Sequence, residues 1–442
     1  MDFKIPDEVL YILNTINQKG FEAFLVGGCV RDTLLKRIPK DWDITTNATP
    51  EKVKAFFDKT IDTGIKHGTV SVLLNNQPFE ITTYRVDGHY LDSRRPSSVS
   101  FTSSLKEDLG RRDFTINALA YHPSKGLIDF FNGKNDIDKG VIRAVGNACD
   151  RFSEDALRML RAVRFSAQLD FNIDPETLEA IKIKGQLIQR ISMERIRDEL
   201  TKILTSDNPL KFVLLKDTSL LGYILPEFDI CFDTPQNTPY HIYNVAVHSL
   251  NSAAYIECNR ILRWTMLLHD IGKPKTRTTD KNGTDHFYFH QRLSKNISES
   301  VLKRLKFDNR SANYILRLVE FHDNNPGDSH ESVRKALSII GSDIFPDLLK
   351  VKEADLRAQN PDFFNAGYEK LQRLKSIYLD IMEKQQCISL DSLAVNGNDL
   401  INLGFVPGKE IGLLLQRLLD EVIERPELNT KDRLIDLLKN IN

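Results

Sequence analysis

Apolar positions along the chain follow two regimes. Up to about residue 140, short apolar runs are bounded by turn residues. Phe21–Gly28 (FEAFLVGG) reads as a strand running into glycines. Thr69–Leu74 and Phe79–Tyr84 are β-rich runs joined by Asn75-Asn76-Gln77-Pro78, the pattern of a hairpin. From about Asp150 the period changes. Apolar residues recur at i, i+3 and i+4 over Ala156–Leu169, Ser192–Leu204, Asn296–Leu305 and Ile411–Ile423, and β-branched alternation nearly vanishes. The pattern predicts an α+β amino-terminal domain with an all-helical remainder. It divides the chain into segments 1–142, 143–205, 206–384 and 385–442.

Composition changes this picture little. The 442 residues suit about three domains, and 41% apolar with 27% charged residues is the balance of a globular protein. No apolar run approaches the roughly 20 residues of a membrane span, so no membrane partner is expected. The opening Met-Asp-Phe-Lys-Ile-Pro lacks the layout of a signal peptide. Cys29, Cys149, Cys231, Cys258 and Cys387 are scattered, odd in number and form no CxxC. Reduced thiols and a cytoplasmic protein are therefore expected, without a cysteine-based zinc site. Charge matters more. A net charge of −1 argues against broad coating of nucleic acid, so any RNA grip needs charge segregated onto one face. Oligomeric state is not legible.

The richest chemistry lies in Gly27-Gly28-Cys29-Val30-Arg31-Asp32, followed nine residues later by Asp41-Trp42-Asp43. On a strand, residues i and i+2 share a face, so Asp41 and Asp43 would present two carboxylates that repel unless cations separate them. Two Mg²⁺ ions, hard cations that take oxygen ligands, fit that arrangement. Such a pair activates a hydroxyl and neutralises leaving pyrophosphate in one in-line displacement. The glycines would open a helix near Val30 whose amino terminus can approach triphosphate oxygens. Glu80 is the candidate third carboxylate, on the opposite face of its strand from Phe79, Ile81 and Thr83.

FLVGGCVRD followed by KDWDITTNATP resembles the class II branch of the DNA polymerase β-like nucleotidyltransferases, which holds CCA-adding tRNA nucleotidyltransferases and bacterial poly(A) polymerases. The resemblance covers nearly the whole chain. It implies a head with a mixed sheet over 1–142, a helical neck, a helical body and a helical tail that grips tRNA. It carries metal binding onto Asp41 and Asp43, with Glu80 beside them, and nucleotide binding onto Gly27, Gly28 and Arg31. RRDFTINA resembles the segment that contacts sugar and triphosphate, so Arg112, Asp113 and Asn117 are candidates: the acid for a ribose hydroxyl, the arginine for phosphate. Glu154-Asp155-Ala156-Leu157-Arg158 matches the EDxxR motif. Three apart on a helix, Asp155 and Arg158 would share a face. Cytosine and adenine each place an amino donor beside a ring-nitrogen acceptor, whereas guanine and uracil reverse that order. One Asp–Arg pair can thus accept CTP and ATP and reject GTP and UTP. Arg161 and Arg164 continue the same face, either supporting that pair or meeting phosphates.

The segment Tyr84–Pro96 is polar, carries Gly88, Arg94 and Arg95, and is full length where CC-adding relatives lack a flexible loop. A CC-only product is therefore not expected. CCA addition is favoured over A-only addition without being separated from it. Poly(A) polymerase is disfavoured because no long basic extension precedes Asn442. Residues 241–355 carry another signal: His248, His269-Asp270 and Asp355 in the order of HD-type phosphohydrolases, with His290 and His322 as additional ligands. Imidazole and carboxylate together suit a divalent metal. That resemblance implies a further metal ion and leaves two readings open, a phosphohydrolase or a helical spacer. The competing functions are thus a tRNA nucleotidyltransferase using CTP and ATP, a phosphohydrolase with an RNA-recognising head, and a non-catalytic RNA binder. The paired acids favour the first, because a binding module has no need of them.

Overall fold

The computed structural model describes residues 4–88 and 99–439; the loop carrying Arg94 and Arg95 lies outside the described residues. The chain divides into two compact units, Met1–Pro226 and Glu227–Asn442.

In the first unit a seven-stranded mixed sheet runs in the order Thr60–Gly64, Thr69–Leu74, Gln77–Thr83, Ile44–Thr46, Ala23–Val26, Leu119–His122, Gly126–Asp129. The hairpin forms where the sequence predicts it. Asn75 and Asn76 both take positive φ (51° and 63°), the backbone that a two-residue turn of matching twist requires. Gln77 and Pro78 belong to the second strand rather than to the turn. Within this sheet Ile44–Thr46 and Gln77–Thr83 pair in parallel, with Ile44 opposite Ile81. Phe24 and Val26 pack one side of the sheet against Tyr84, Leu105, Leu109 and Val145.

Helices dominate beyond residue 147. Leu157–Leu169 is buried along most of its length, including Arg158 and Arg164. Met193–Leu204 buries Ile196, Glu199, Leu200 and Ile203 in a stripe of helical period. In the second unit, one apolar cluster joins Leu262, Met266, Leu318, Leu337, Phe345, Leu348 and Ile381. Another gathers Val395, Leu400, Leu418, Leu419, Val422 and Leu434. The predicted helix over Ile411–Ile423 spans Lys409–Glu424 and faces this second cluster. No helix among the described residues is long and apolar enough to cross a membrane.

Candidate active site and a second polar centre

Asp41 and Asp43 enter the strand rather than sit within it, since Ile44 is its first residue. The backbone N–H of Val26 still donates to the Asp43 carbonyl at 3.0 Å, so the sheet fixes Asp43. The parallel register sets Glu80, one residue before Ile81, alongside Asp43, one residue before Ile44. Burial and the charge of Asp41 raise the Asp43 carboxyl to about 6; Glu80 adds to the rise and Arg112 opposes it. Asp41 and Glu80 therefore both act on Asp43, although Glu80 is exposed and stands outside the cavity that Asp41 and Asp43 line.

Gly27 takes φ +75°, and a Cβ there would come within 3.0 Å of Arg112 Nη1 and 4.0 Å of Asp43 Oδ2. A side chain would both strain the backbone and enter the cavity floor. The helix after it begins at Gly28, not near Val30. Arg31 Nη1 donates to Asn117 Oδ1 at 2.6 Å, and Asn117 Nδ2 donates to Asp113 Oδ1 at 3.1 Å. Arg161 Nε donates to Asp113 Oδ2 at 2.7 Å. Burial alone would raise the Asp113 carboxyl, but Arg161, Asn117 and Arg158 hold it well below the usual carboxylate range. Asp113 is thus a buried, ionised centre organising other side chains. Three guanidinium groups, those of Arg31, Arg161 and Arg164, lie 4.2–5.4 Å from the Phe165 ring. Burial and the neighbouring Arg161 pull Arg164 down to about 10.

These side chains line one cavity of about 800 Å³ with nine basic and six acidic residues. A nearly neutral chain has segregated positive charge here, where a triphosphate would need it. The cavity gathers Gly27, Gly28, Arg31, Asp41, Asp43, Arg112, Asp113, Asn117, Asp155, Arg158, Arg161 and Arg164.

One local expectation is corrected. Asp155 and Arg158 do not occupy one helix face. Asp155 is extended (φ −137°, ψ 102°) in a break between Ala148–Glu154 and Leu157–Leu169, where its Oδ1 accepts the Leu157 N–H at 3.0 Å. A short acid that can bond a nearby backbone N–H competes with helix continuation, and here it wins. The two residues also have separate partners. Arg158 donates to Glu154 Oε2 at 2.7 Å and to the Arg111 carbonyl at 2.9 Å. Asp155 Oδ2 accepts from Arg195 Nη2 at 3.0 Å.

Sequence reasoning missed three supporting residues. Arg195 lines the cavity from helix Met193–Leu204. Glu199, on the same face one turn later, pairs with Arg164 at 3.2 Å. The signal was present: an Arg-x-x-x-Glu pair along the apolar stripe, where charge needs a partner. Asp108 is fully buried and accepts from Arg111 at 2.7 Å and from Thr45 at 3.2 Å, tying the arginine segment to the sheet.

In the second unit, His248, His269, Asp270, His290 and His322 are buried, with Asp355 partly so. Each histidine donates from Nδ1 to a backbone carbonyl: His248 to Ala358 (3.3 Å), His269 to Met266 (2.7 Å), His290 to Phe287 (2.9 Å) and His322 to Val319 (2.7 Å). Every Nε2 then faces a carboxylate. His248 lies 2.8 Å from Asp355, His269 3.3 Å from Asp270, and His290 3.3 Å from Asp270. A Cβ on Gly272 would lie 2.7 Å from the His290 carbonyl, so glycine permits this approach of helix His290–Arg304. Burial opposes charge on His269, yet Asp270 and Asp355 raise it to about 10. Both acids lie far below their ordinary range despite burial, held there by His269 and, for Asp355, His248. His269 Nε2 and Asp270 Oδ2 stand within ion-pair distance but lack aligned hydrogen-bond partners among the described residues.

Similarity to known proteins is extensive. Residues 23–143 match the Poly A polymerase head domain, 170–231 the "Probable RNA and SrmB-binding site of polymerase A", and 283–438 the tRNA nucleotidyltransferase domain 2. The CCA-adding enzyme of Lactobacillus gasseri is 53% identical over 212 residues, 48% of this chain and 53% of that enzyme, so this match spans about half of that relative. The CCA-adding enzyme of Ligilactobacillus salivarius is 37% identical over 454 residues, 99% of this chain and 98% of that one. The crystal structure of the Bacillus stearothermophilus CCA-adding enzyme in complex with CTP superposes with TM-score 0.72 at 32% identity, covering 98% of this chain and 97% of that one. With matches along both units and full-length identity above 30%, the chain belongs to the class II tRNA nucleotidyltransferase family of CCA-adding enzymes.

Proposed function

We propose that this protein completes the 3′ end of tRNA with C, C and A, using CTP and ATP and releasing pyrophosphate. One observation carries the reading: a single cavity sets a repelling acid pair against nine basic side chains. The family is dependent on divalent metal. The residues present fit a hard cation, because Asp41, Asp43 and Glu80 offer only oxygen and already raise Asp43 toward neutrality. We assign two Mg²⁺ ions to them, which would neutralise charge on the departing pyrophosphate and favour ionisation of the attacking hydroxyl.

In the reaction, the tRNA 3′-hydroxyl oxygen bonds to the α-phosphorus of the nucleotide. The bond from that phosphorus to the α,β-bridging oxygen breaks, pyrophosphate leaves and the hydroxyl proton is lost. Gly27 and Gly28 let the triphosphate approach backbone, while Arg31, Arg112, Arg161 and Arg164 supply positive charge. Asp113 orients Arg161 and Asn117 toward sugar and phosphate. Asp155 accepts the base amino group and Arg158 donates to the ring nitrogen, which selects C and A over U and G. With tRNA and free nucleotides as substrates, the work belongs to the cytoplasm. Incubating tRNA that ends at the discriminator base with Mg²⁺, CTP and ATP should add three nucleotides. No extension would overturn the reading, and extension only of a tRNA supplied with CC would convert it to A-addition.

The His/Asp centre supports a second proposal, a divalent metal held by His248, His269, Asp270 and Asp355, with His290 and His322 alongside. The observation favouring it is that four Nδ1 atoms are committed to carbonyls, which aims four Nε2 atoms at two acids. Such anchoring fixes imidazoles for ligation, and mixed nitrogen and oxygen donors suit a transition metal. Metal analysis of the purified full chain tests it; stoichiometric metal lost on His269→Ala is the expected result.

A further inference from the structure

We propose that Arg195 is the positioning residue for base selection: it sets the carboxylate of Asp155 independently of Arg158. The inference rests on the reading of Asp155 and Arg158 as the base-reading pair.

The two members are suspended from different elements. Arg158 is fixed from its own neighbourhood, by Glu154 Oε2 at 2.7 Å, the Arg111 carbonyl at 2.9 Å and the Arg151 carbonyl at 3.3 Å. The Asp155 backbone is extended, and although its carbonyl still accepts the Arg158 N–H at 3.0 Å, that bond does not orient its carboxylate. Its orientation comes from two bonds: the Leu157 N–H on Oδ1 at 3.0 Å and Arg195 Nη2 on Oδ2 at 3.0 Å. The first is local and leaves the carboxylate free to pivot about it. The second comes from 40 residues away and fixes the pivot. Helix Met193–Leu204 is itself anchored against the arginine helix through Glu199, which is buried and meets Arg164. Arg195 Nη1 is also buried and has no hydrogen-bond partner among the described residues. That leaves a donor beside the acid that a repositioned carboxylate could take up. Cytosine and adenine present the same donor–acceptor pair at different depths, because one is a single ring and the other a double ring. A reader serving both needs the acid and the arginine set separately, and a separate tether for each allows it.

Arg195→Met keeps the aliphatic stem and removes the donors, while Arg195→Lys retains one charged donor. Both are compared with Asp155→Ala and with the double variant Arg195→Met/Asp155→Ala. The full-length protein is assayed on tRNA ending in the discriminator base or in CC, after thermal unfolding has matched the variants' folding. The readout is the ratio of kcat/KM for CTP over UTP at the first position and for ATP over GTP at the last. Arg195→Met should lower these ratios about tenfold, the effect of losing one charge-assisted hydrogen bond. Arg195→Lys should recover part of the loss, and the double variant should be no less selective than Asp155→Ala alone. Unchanged ratios in Arg195→Met, where Asp155→Ala loses selectivity, would overturn this proposal and leave the base-reading pair standing. So would an equal rise in KM for all four nucleotides, which would make Arg195 a phosphate contact. Unchanged ratios in Asp155→Ala would remove the base-reading pair and this proposal with it.

Discussion

Asp43 and Asp270 are both crowded acids, yet their surroundings drive them in opposite directions. Asp43 lines an open cavity with Asp41, feels Glu80 from just outside it, and is raised to about 6. Asp270 is fully buried among His269, Lys273 and His290 and is held far below its ordinary range. The first cluster has surplus negative charge that Arg112 offsets only in part and that a proton or an arriving cation relieves. The second already faces its acids with partners of its own, the imidazole Nε2 atoms and the Lys273 Nζ 2.7 Å away. An acid group that must accept a metal together with each nucleotide is best left unsatisfied and accessible. A group that holds a resident ion is best closed, with each ligand oriented from behind. On the proposed metal assignments, the difference would separate an exchanging centre from a fixed one.

The largest effect should come from the open cluster. Asp41→Ala or Asp43→Ala should lower single-turnover CTP incorporation about a thousandfold or more, since several kcal/mol of charge stabilisation is lost. Retained activity in either variant would place the metals elsewhere. At the closed cluster, His269→Ala should abolish bound metal and lower stability by about 3 kcal/mol, because it leaves buried carboxylates unpaired. Metal content and urea unfolding give those two numbers. CCA addition by the same folded variant should persist; its parallel loss would show that the two centres act as one. A smaller effect is expected from Asp155→Ala, which should reduce preference for CTP over UTP by about ten- to a hundredfold, the discrimination of one paired base contact.

Much of this contrast was legible from sequence. The alternation around Asn75-Asn76 placed the hairpin, and Asp41, Asp43 and Glu80 came from the residues and their motif before any register was known. The order His248, His269-Asp270, Asp355 likewise identified a cluster that spans more than 100 residues of chain. The break at Asp155 was not legible, because the i,i+3 spacing to Arg158 is equally good on a continuous helix. What decides the break is a local bond from Leu157 N–H, which the spacing alone does not require, and a distant arginine, which leaves no local trace. Arg195 and Glu199 were missed for a related reason. Their spacing along the apolar stripe was a signal, but a charged pair on an amphipathic helix equally reads as its solvent face until the helix is docked; here Glu199 is buried and Arg195 half-buried at the cavity. The burial of Asp113 was hidden too, since RRD alone does not show that Arg161 will enclose it.

The finest test of the contrast is the pH dependence of stability. The carboxyl of Asp43 is raised in the folded protein from about 3.8 to about 6, so folding favours its protonated form. That contribution is fully present below about pH 4 and is lost as pH rises through 6. Without divalent metal, the first unit should therefore lose several degrees of Tm between pH 4 and pH 7 that Asp43→Asn does not lose. Mg²⁺ should restore much of it above pH 6, because the cation takes over the role of the proton, and its apparent affinity should climb over the same interval. Asp270 and Asp355 are depressed, so their contribution runs the other way, present above the ordinary carboxylate range and lost on acidification. Subtracting the Asp43→Asn profile from that of the parent isolates the one acid from the rest. A flat difference between pH 4 and 7 would mean that Asp41 and Glu80 do not crowd Asp43, and the open cluster would lose the electrostatic feature that distinguishes it from the closed one.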